Sequence, residues 1–330
     1  MIGRNVTVLG AGIAGLAVAR AFALRGATVT VLEQAEAVRE AGAGIQISPN
    51  GARVISALGL REAFEQASLP SQAAELLNGE TGKRVAWLPV GAEPSTQGAE
   101  APAGYRLIHR ARLIDLLAQG AREVGVRIRL LQRVKEVDLS GARPKVIMAT
   151  GSELETDLLI GADGLHSRTR IALNGAQVPF FTQQICWRAI IPDTEADIEA
   201  EAATPPRAVA QVFMGDGRHL VSYPLKGGLR NIVAVEERNR WVEENYSLSD
   251  DPARLREAFK LYANIRPART LIPGGRYEEI AKARHLQRPT GLNGALQLAG
   301  MHFCGQQHRA LEDARNTARL LPLTLPAHSP

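Results

Sequence analysis

The sequence predicts an α/β protein with two kinds of sheet, and three observations predict it. A strand–turn–helix–strand unit of roughly 30 residues opens the chain. An apolar strand at 158–161 runs into a second glycine turn. Between 182 and 235 the pattern becomes short alternating strands separated by Gly, Asp and Pro turns. The first two features predict a parallel, Rossmann-like unit flanked by helices, and the third predicts an antiparallel sheet.

In chain order, Asn5–Leu9 is a β-branched run that reads as a buried strand. Gly10, Gly12 and Gly15 follow at once, with Ile13 and Ala14 between the last two, and a helix is read over 16–24 and ended by Gly26. Thr28–Leu32 is a second strand, and Glu33 stands at its end. Gly10 permits the tight turn, Gly12 lets the backbone approach a pyrophosphate, and Gly15 lets the helix lie close to the strand. The helix N-terminus then offers free N–H groups and the positive end of its dipole to phosphate. Glu33 is placed to accept hydrogen bonds from an adenosine ribose and disfavours a 2′-phosphate. These residues leave NAD and FAD both open.

Further on, Gly42, Gly44 and the Ser48-Pro-Asn-Gly51 turn flank a short apolar strand, and a helix is expected over 52–58. The segment 105–110 ends in His109-Arg110 and opens another helix. The 158–161 strand leads into Ala162-Asp163-Gly164. In the middle region, strands are expected at 186–191, 208–213, 219–224 and 231–235. Residues four apart on a strand share a face, so His219 and Tyr223 project to the same side. Such a pair suits binding of a phenol and removal of its proton. Trp187, Cys186 and Cys304 are assigned to packing, and Arg188 to a surface or interface cation.

Composition narrows the classes. The chain has 330 residues, 39 Lys+Arg and 34 Asp+Glu, for a formal charge of +5. That length suits about two domains. The positive charge is spread along the chain, and only 3 Trp, 5 Tyr and 7 Phe are present, so nucleic-acid binding is not expected. Two cysteines make neither a disulfide framework nor a metal cage, which makes a reducing cytoplasm the expected location. No apolar run reaches about 18 residues, so neither a membrane span nor a signal peptide is expected.

The glycine fingerprint with Glu33, the His109-Arg110 pair and the Gly161-Ala-Asp163-Gly164 element together resemble the single-component FAD-dependent aromatic hydroxylases, the group of para-hydroxybenzoate and salicylate hydroxylases. The resemblance covers about residues 5–250. It implies that Gly10, Gly12, Ile13, Ala14 and Gly15 hold the FAD pyrophosphate and Glu33 the ribose. It places Arg110 on the flavin side, Asp163 and Gly164 near the pyrophosphate or ribityl chain, and Arg39 and Gly44 in a cofactor loop. The Gly161–Gly164 element would serve the nicotinamide cofactor as well. His219 and Tyr223 then become substrate contacts, as in hydroxylases of 3-hydroxybenzoate and 6-hydroxynicotinate.

The implied reaction is hydroxylation of a small phenolic or heteroaromatic acid by FAD, with NAD(P)H and O₂. A homodimer is a family expectation. The implied architecture is a discontinuous FAD-binding domain (1–75, 100–180 and 290–321), an inserted antiparallel-sheet substrate domain (76–99 and 181–289) and a tail (322–330). The last flavin motif matches only in part. Gly305-Gln306-Gln307 and Leu311-Glu312-Asp313-Ala314 are recognisable, but the acid expected after Gly300 is absent, and the stretch between is short. The chain also stops where the family adds further helix. The alternatives are a geranylgeranyl-reductase-like flavin oxidoreductase, which shares the early motifs, and a catalytically impaired flavin-binding protein, which the altered last motif suggests.

Overall fold

The computed structural model describes residues 1–38, 43–91, 104–192, 208–239 and 252–262, together with the backbone of 276–282. Arg39, Cys304 and everything after 282, including the last flavin motif and the tail, lie outside the described residues.

The amino-terminal part forms three layers. Strands β1 (Asn5–Leu9) and β2 (Thr28–Leu32) flank helix α1 (Ile13–Ala23). They are followed by β3 (Gly44–Ile47), α2 (Pro49–Ala57), α3 (Arg61–Ala67), β4 (Ser68–Pro70), β5 (Ala73–Asn78) and β6 (Arg84–Pro89). Next come β7 (Arg106–His109), α4 (Arg110–Glu123), β8 (Arg127–Arg129), β9 (Val134–Asp138), β10 (Lys145–Met148), β11 (Glu153–Glu155), β12 (Leu158–Gly161) and α5 (Arg168–Asn174). The central sheet is parallel, in the order β12-β1-β2-β8. Val6 and Val8 of β1 point to its helical face, where they join Leu16, Ala19, Leu113 and Leu117 of α1 and α4. Leu9 and Leu32 point to the other face and meet Val137, Val146 and Met148 of the antiparallel sheet β11-β10-β9. With both faces covered, every residue of β1 from Val6 to Leu9 is buried, Thr7 included.

The remaining described elements are β13 (Phe180–Pro192), β14 (Val209–Gly215), β15 (Arg218–Leu225), β16 (Leu229–Glu237), α6 (Pro252–Ala258) and β17 (Arg276–Lys282). They build a seven-stranded sheet in the order β17-β13-β16-β15-β14-β5-β6. The sheet is antiparallel except at one ladder: β14 runs parallel to β5, which arrives from the amino-terminal part. A parallel ladder joins strands distant in sequence, and the local alternation of residues 208–213 carries no information about such a partner. One face is sealed by Leu255 of α6 and Phe259 just after it, against Trp187, Leu220 and Ile232. The other face turns Ile190, Val221, Tyr223 and Leu225 toward Leu107 of β7 and Leu69 of β4. A small sheet, β3-β7-β4, forms the floor between the two parts.

A boundary differs from the sequence expectation. Helix α2 begins at Pro49, three residues before the predicted start. Proline suits the first helical turn because its missing N–H has no partner there in any case. Trp187 packs edge-on to Phe259, with ring centroids 6.4 Å apart, as the packing assignment required.

Arg20 ties the helical layer together. Its side chain is only 7% exposed, and its Nε donates to the Leu58 carbonyl at 2.7 Å. Nη1 donates to the Gly120 carbonyl, with Glu123 at 3.9 Å. One guanidinium therefore serves the end of α2 and the body of α4. Arg20→Ala leaves two buried carbonyls without their donor and should cost about 3 kcal/mol. A thermal melt should show the midpoint lowered by roughly 5–10 °C; an unchanged midpoint would exclude this role.

Candidate active site

The described candidate residues fall into two neighbourhoods. The first surrounds the β1–α1 turn. Gly10 has φ +97, and a methyl group there would strike the Ala162 carbonyl oxygen. A methyl group on Gly15 would strike the Gly10 carbonyl oxygen. Both glycines are thus demanded by backbone packed on backbone. Gly12 differs, because a methyl group there would meet no heavy atom within 4 Å. Gly12 is the helix N-cap and supplies no side-chain acceptor, and the first turn of α1 holds no acidic residue. The positive end of the helix therefore opens on free space with its N–H groups unclaimed by a side chain.

The Glu33 carboxylate spans the same turn. Its two oxygens accept from the Ala11 and Ala35 N–H groups, each at 2.8 Å. Each carboxylate oxygen has further lone-pair capacity, so Glu33 is held in place and still able to accept from ribose hydroxyls. Open space beside a helix N-terminus with a fixed acceptor across the turn fits the diphosphate and ribose of a dinucleotide. Ile13 and Ala14 form the first turn of α1.

The Ala162-Asp163 backbone lies against Gly10, but the Asp163 side chain is used locally. It accepts from the Ser167 hydroxyl at 2.6 Å and from the Arg168 and Thr169 N–H groups at 2.7 and 3.2 Å. Asp163 therefore holds the start of α5 and shapes the turn. Gly164, at φ +72 and facing open space, completes that turn.

The second neighbourhood lies where β3, β7 and the large sheet meet. His109 caps α4, its Nδ1 accepting from the Ala111 N–H at 3.2 Å. Burial, and then the nearby Arg112, push the His109 pKa down, which suits an unprotonated acceptor. The Arg110 N–H donates to the Ala43 carbonyl at 2.8 Å, and His109 pairs with Gly44 across the ladder. A methyl group on Gly44 would come within 2.7 Å of the Tyr223 ring and 2.8 Å of Asn231. Gly44, Arg110, Tyr223 and Asn231 are thus brought together from three strands and a helix start.

The pairing registers define the sheet face above them. His219 pairs with Val235, Val221 with Val233 and Tyr223 with Asn231, while Val233 pairs with Arg188 on the far side. His219, Tyr223, Asn231 and Arg188 therefore surround a floor of Val221 and Val233. Four residue steps along the strand set His219 and Tyr223 about 13 Å apart, so the two do not touch each other. Burial pushes the Tyr223 pKa up against the opposing charge of Arg188, and burial pushes His219 down. Both groups are held in their neutral forms.

Asn231 was not singled out from the sequence, and Arg188 was expected as a surface or interface cation. Arg188 is half-buried on the Tyr223 face, because the β13–β16 register turns it inward. Asn231 is fully buried. A polar residue heading the apolar run 231–235 was the available signal for it. Cys186 shares this face, but burial raises its thiol to about 11, which leaves it unreactive at neutral pH.

Among the described residues no group of three metal-ligating side chains comes together, and no helix is long and apolar enough to cross a membrane. The fold and the first neighbourhood define an α/β protein that binds a dinucleotide cofactor. Comparison with known proteins names the cofactor, since the FAD binding domain family matches residues 4–245, and the chain belongs to that family. It is 29% identical over 94% of its length to 3-hydroxybenzoate 6-hydroxylase 1 of Aquipseudomonas alcaligenes, covering 78% of that protein. It is 35% identical over 68% of its length to 3-amino-4-hydroxybenzoate 2-monooxygenase of Streptomyces cremeus, of which the match covers only 54%. The crystal structure of CtdE with FAD and a substrate superposes with a TM-score of 0.71 at 22% identity, over 87% of this chain and 70% of that one. That likeness supports the fold.

Two predictions follow from this geometry. Gly15→Ala should lower the melting midpoint by roughly 5 °C or more, because backbone must move. Gly12→Ala should leave the midpoint near the wild-type value and weaken FAD uptake, read by flavin absorbance; equal melting losses would contradict the assignment. The His219 pKa, lowered on folding, means that the unfolded chain binds the proton first as pH falls below about 6.5. Stability is therefore full above that pH and declines below it. His219→Gln should lose less stability than wild type between pH 7 and 5.5 in urea melts, and identical losses would refute the contribution.

Proposed function

We propose that the chain is an FAD-dependent monooxygenase that adds a hydroxyl group to a small phenolic or heteroaromatic acid, using NAD(P)H and O₂. The observation that carries this reading is the sheet face on which His219, Tyr223 and Arg188 surround an apolar floor next to Gly44 and Arg110. An apolar floor suits the flat faces of a ring, and polar groups at its corners suit the ring substituents. The printed names of the two relatives, a hydroxybenzoate hydroxylase and an aminohydroxybenzoate monooxygenase, support the same substrate class.

In this reading Gly12, Ile13, Ala14 and Glu33 hold the diphosphate and ribose of FAD, with Gly10 and Gly15 shaping their turn. Arg110, Gly44 and the Asp163-Gly164 turn border the cofactor, and Arg39 belongs to the same proposal. When bound, FAD takes two electrons from NAD(P)H and delivers one oxygen atom of O₂ to the ring; the other leaves as water. His219, kept neutral by burial, accepts the phenol proton and so enriches the ring in electrons. Tyr223, kept protonated, donates a hydrogen bond to the opposite end of the ring. The Arg188 charge attracts the carboxylate and opposes the burial penalty on Tyr223. The large sheet, as part of a substrate domain of 76–99 and 181–289, excludes water from the reacting ring. We place the enzyme in the cytoplasm, with a homodimer as the expected assembly.

Purified protein supplied with FAD should turn yellow, and its NADH or NADPH oxidation in air should rise at least tenfold with one hydroxybenzoate, yielding a dihydroxylated acid. Failure to take up FAD, or oxidation insensitive to every aromatic acid tried, would refute the reading. Tyr223→Phe should cut the product formed per NAD(P)H by about threefold or more. Wild-type coupling in that variant would remove Tyr223 from the mechanism.

A further inference from the structure

Asn231 is an anomaly among the buried residues. It is 0% exposed and sits on β16 directly opposite Tyr223. Its Oδ1 accepts from the Gly44 N–H at 2.6 Å. Gly44 is a donor there, so the amide orientation is determined: oxygen faces Gly44, and Nδ2 faces elsewhere. Nδ2 is buried and has no hydrogen-bond partner. A side chain chosen only to fill space at this position would be apolar, as Val233 and Val235 are on the same strand. β3 is the edge strand of its small sheet, and its outward Gly44 N–H has no ladder partner. The Asn231 side chain supplies that partner from a different sheet.

We infer that Asn231 is a positioning residue, a latch that registers the Tyr223-bearing sheet face against the Gly44 segment. The inference rests on the proposal that Gly44 borders FAD and that the sheet face holds the substrate. The latch works through geometry. Gly44 has no side chain, so the Tyr223 ring and the Asn231 amide close directly onto its backbone, and a methyl group there would overlap both. One hydrogen bond therefore joins β16, the ladder partner of the strand carrying Tyr223, to β3, the ladder partner of the strand leading to Arg110. Without it the packed contacts hold the two parts together but leave them free to slide, and ring and cofactor lose their alignment. Oxygen transfer requires that alignment to within bonding distance, whereas electron transfer from NAD(P)H to FAD requires only that the ring be bound.

The test compares Asn231→Leu, which removes the acceptor and fills the space, with Asn231→Asp, which restores an acceptor for Gly44. Two readouts are taken on full-length protein. The first is the exchange rate of the Gly44 amide in ¹⁵N-labelled protein without FAD, which needs no turnover. It should rise at least tenfold in Asn231→Leu and stay within about threefold of wild type in Asn231→Asp. The second is product formed per NAD(P)H consumed with the best hydroxybenzoate. It should fall at least fivefold in Asn231→Leu, with NAD(P)H oxidation retained, and recover at least in part in Asn231→Asp.

Unchanged exchange in Asn231→Leu overturns the latch. Raised exchange with wild-type product yield overturns its positioning role. If Asn231→Leu does not fold, Gly44→Ala opens the same contact from the other side and should lower product yield to the same degree; wild-type yield there also overturns the inference. A wild-type protein that takes up no FAD defeats the functional reading instead, and the exchange comparison still judges the latch.

Discussion

Helix α1 approaches strand β1 so closely that no side chain fits where Gly15 meets the Gly10 carbonyl, and Gly10 in turn lies against the Ala162 carbonyl. Three pieces of backbone, from the β1–α1 turn, the body of α1 and the loop after β12, are stacked with nothing between them. Much of the cofactor side depends on this crossing. It aims the α1 N-terminus past Gly12 into open space. It brings Glu33, at the end of the neighbouring parallel strand, across the turn, where it holds the Ala11 and Ala35 N–H groups. It also determines where the Asp163 turn begins, and Asp163 then organises α5 with its own carboxylate. Charge enters this arrangement as the field of a helix end that no acidic side chain neutralises.

The large sheet divides its labour between its faces. The face under α6 is sealed by Leu255 and Phe259 against Trp187, Leu220 and Ile232, and serves stability alone. The opposite face carries His219, Tyr223, Asn231 and Arg188 in one register. Burial acts in opposite directions on its titratable groups, lowering histidine and raising tyrosine and cysteine, and in each case it favours the neutral form. The result is a surface with directional hydrogen-bonding groups and little free charge, against which the Arg188 cation stands out. On the proposed function, such a surface would distinguish a ring by where its substituents lie.

Much of this was legible in the chain, and the reason lies in range. The glycine fingerprint, the β1–α1–β2 unit, Glu33, the His109-Arg110 helix start and the shared side of His219 and Tyr223 all rest on neighbours within about thirty residues, where periodicity and turn chemistry act. The parallel β14–β5 ladder spans more than a hundred residues, and local alternation is the same whatever the partner. Asp163 shows a further limit. Its place after a strand was readable, but its hydrogen bonds to Ser167, Arg168 and Thr169 depend on how the turn closes. Arg188, expected as a surface or interface cation, could not be placed on the Tyr223 face from the sequence because a strand's phase is relative: which of its two sides faces inward follows from the β13–β16 register.

The sequence by itself therefore determined the class of fold, the glycine turn that receives a dinucleotide and the candidate pair on β15. Those properties follow from backbone freedom, helix dipoles and two-residue periodicity, each of which acts locally. The tertiary structure alone decided that Gly44 would press on Tyr223 and that Asn231 would reach across to its N–H. It also decided that Arg188 would turn toward the same floor. These contacts join residues far apart in sequence through strand register and close approach, and no local pattern encodes a distance between two sheets.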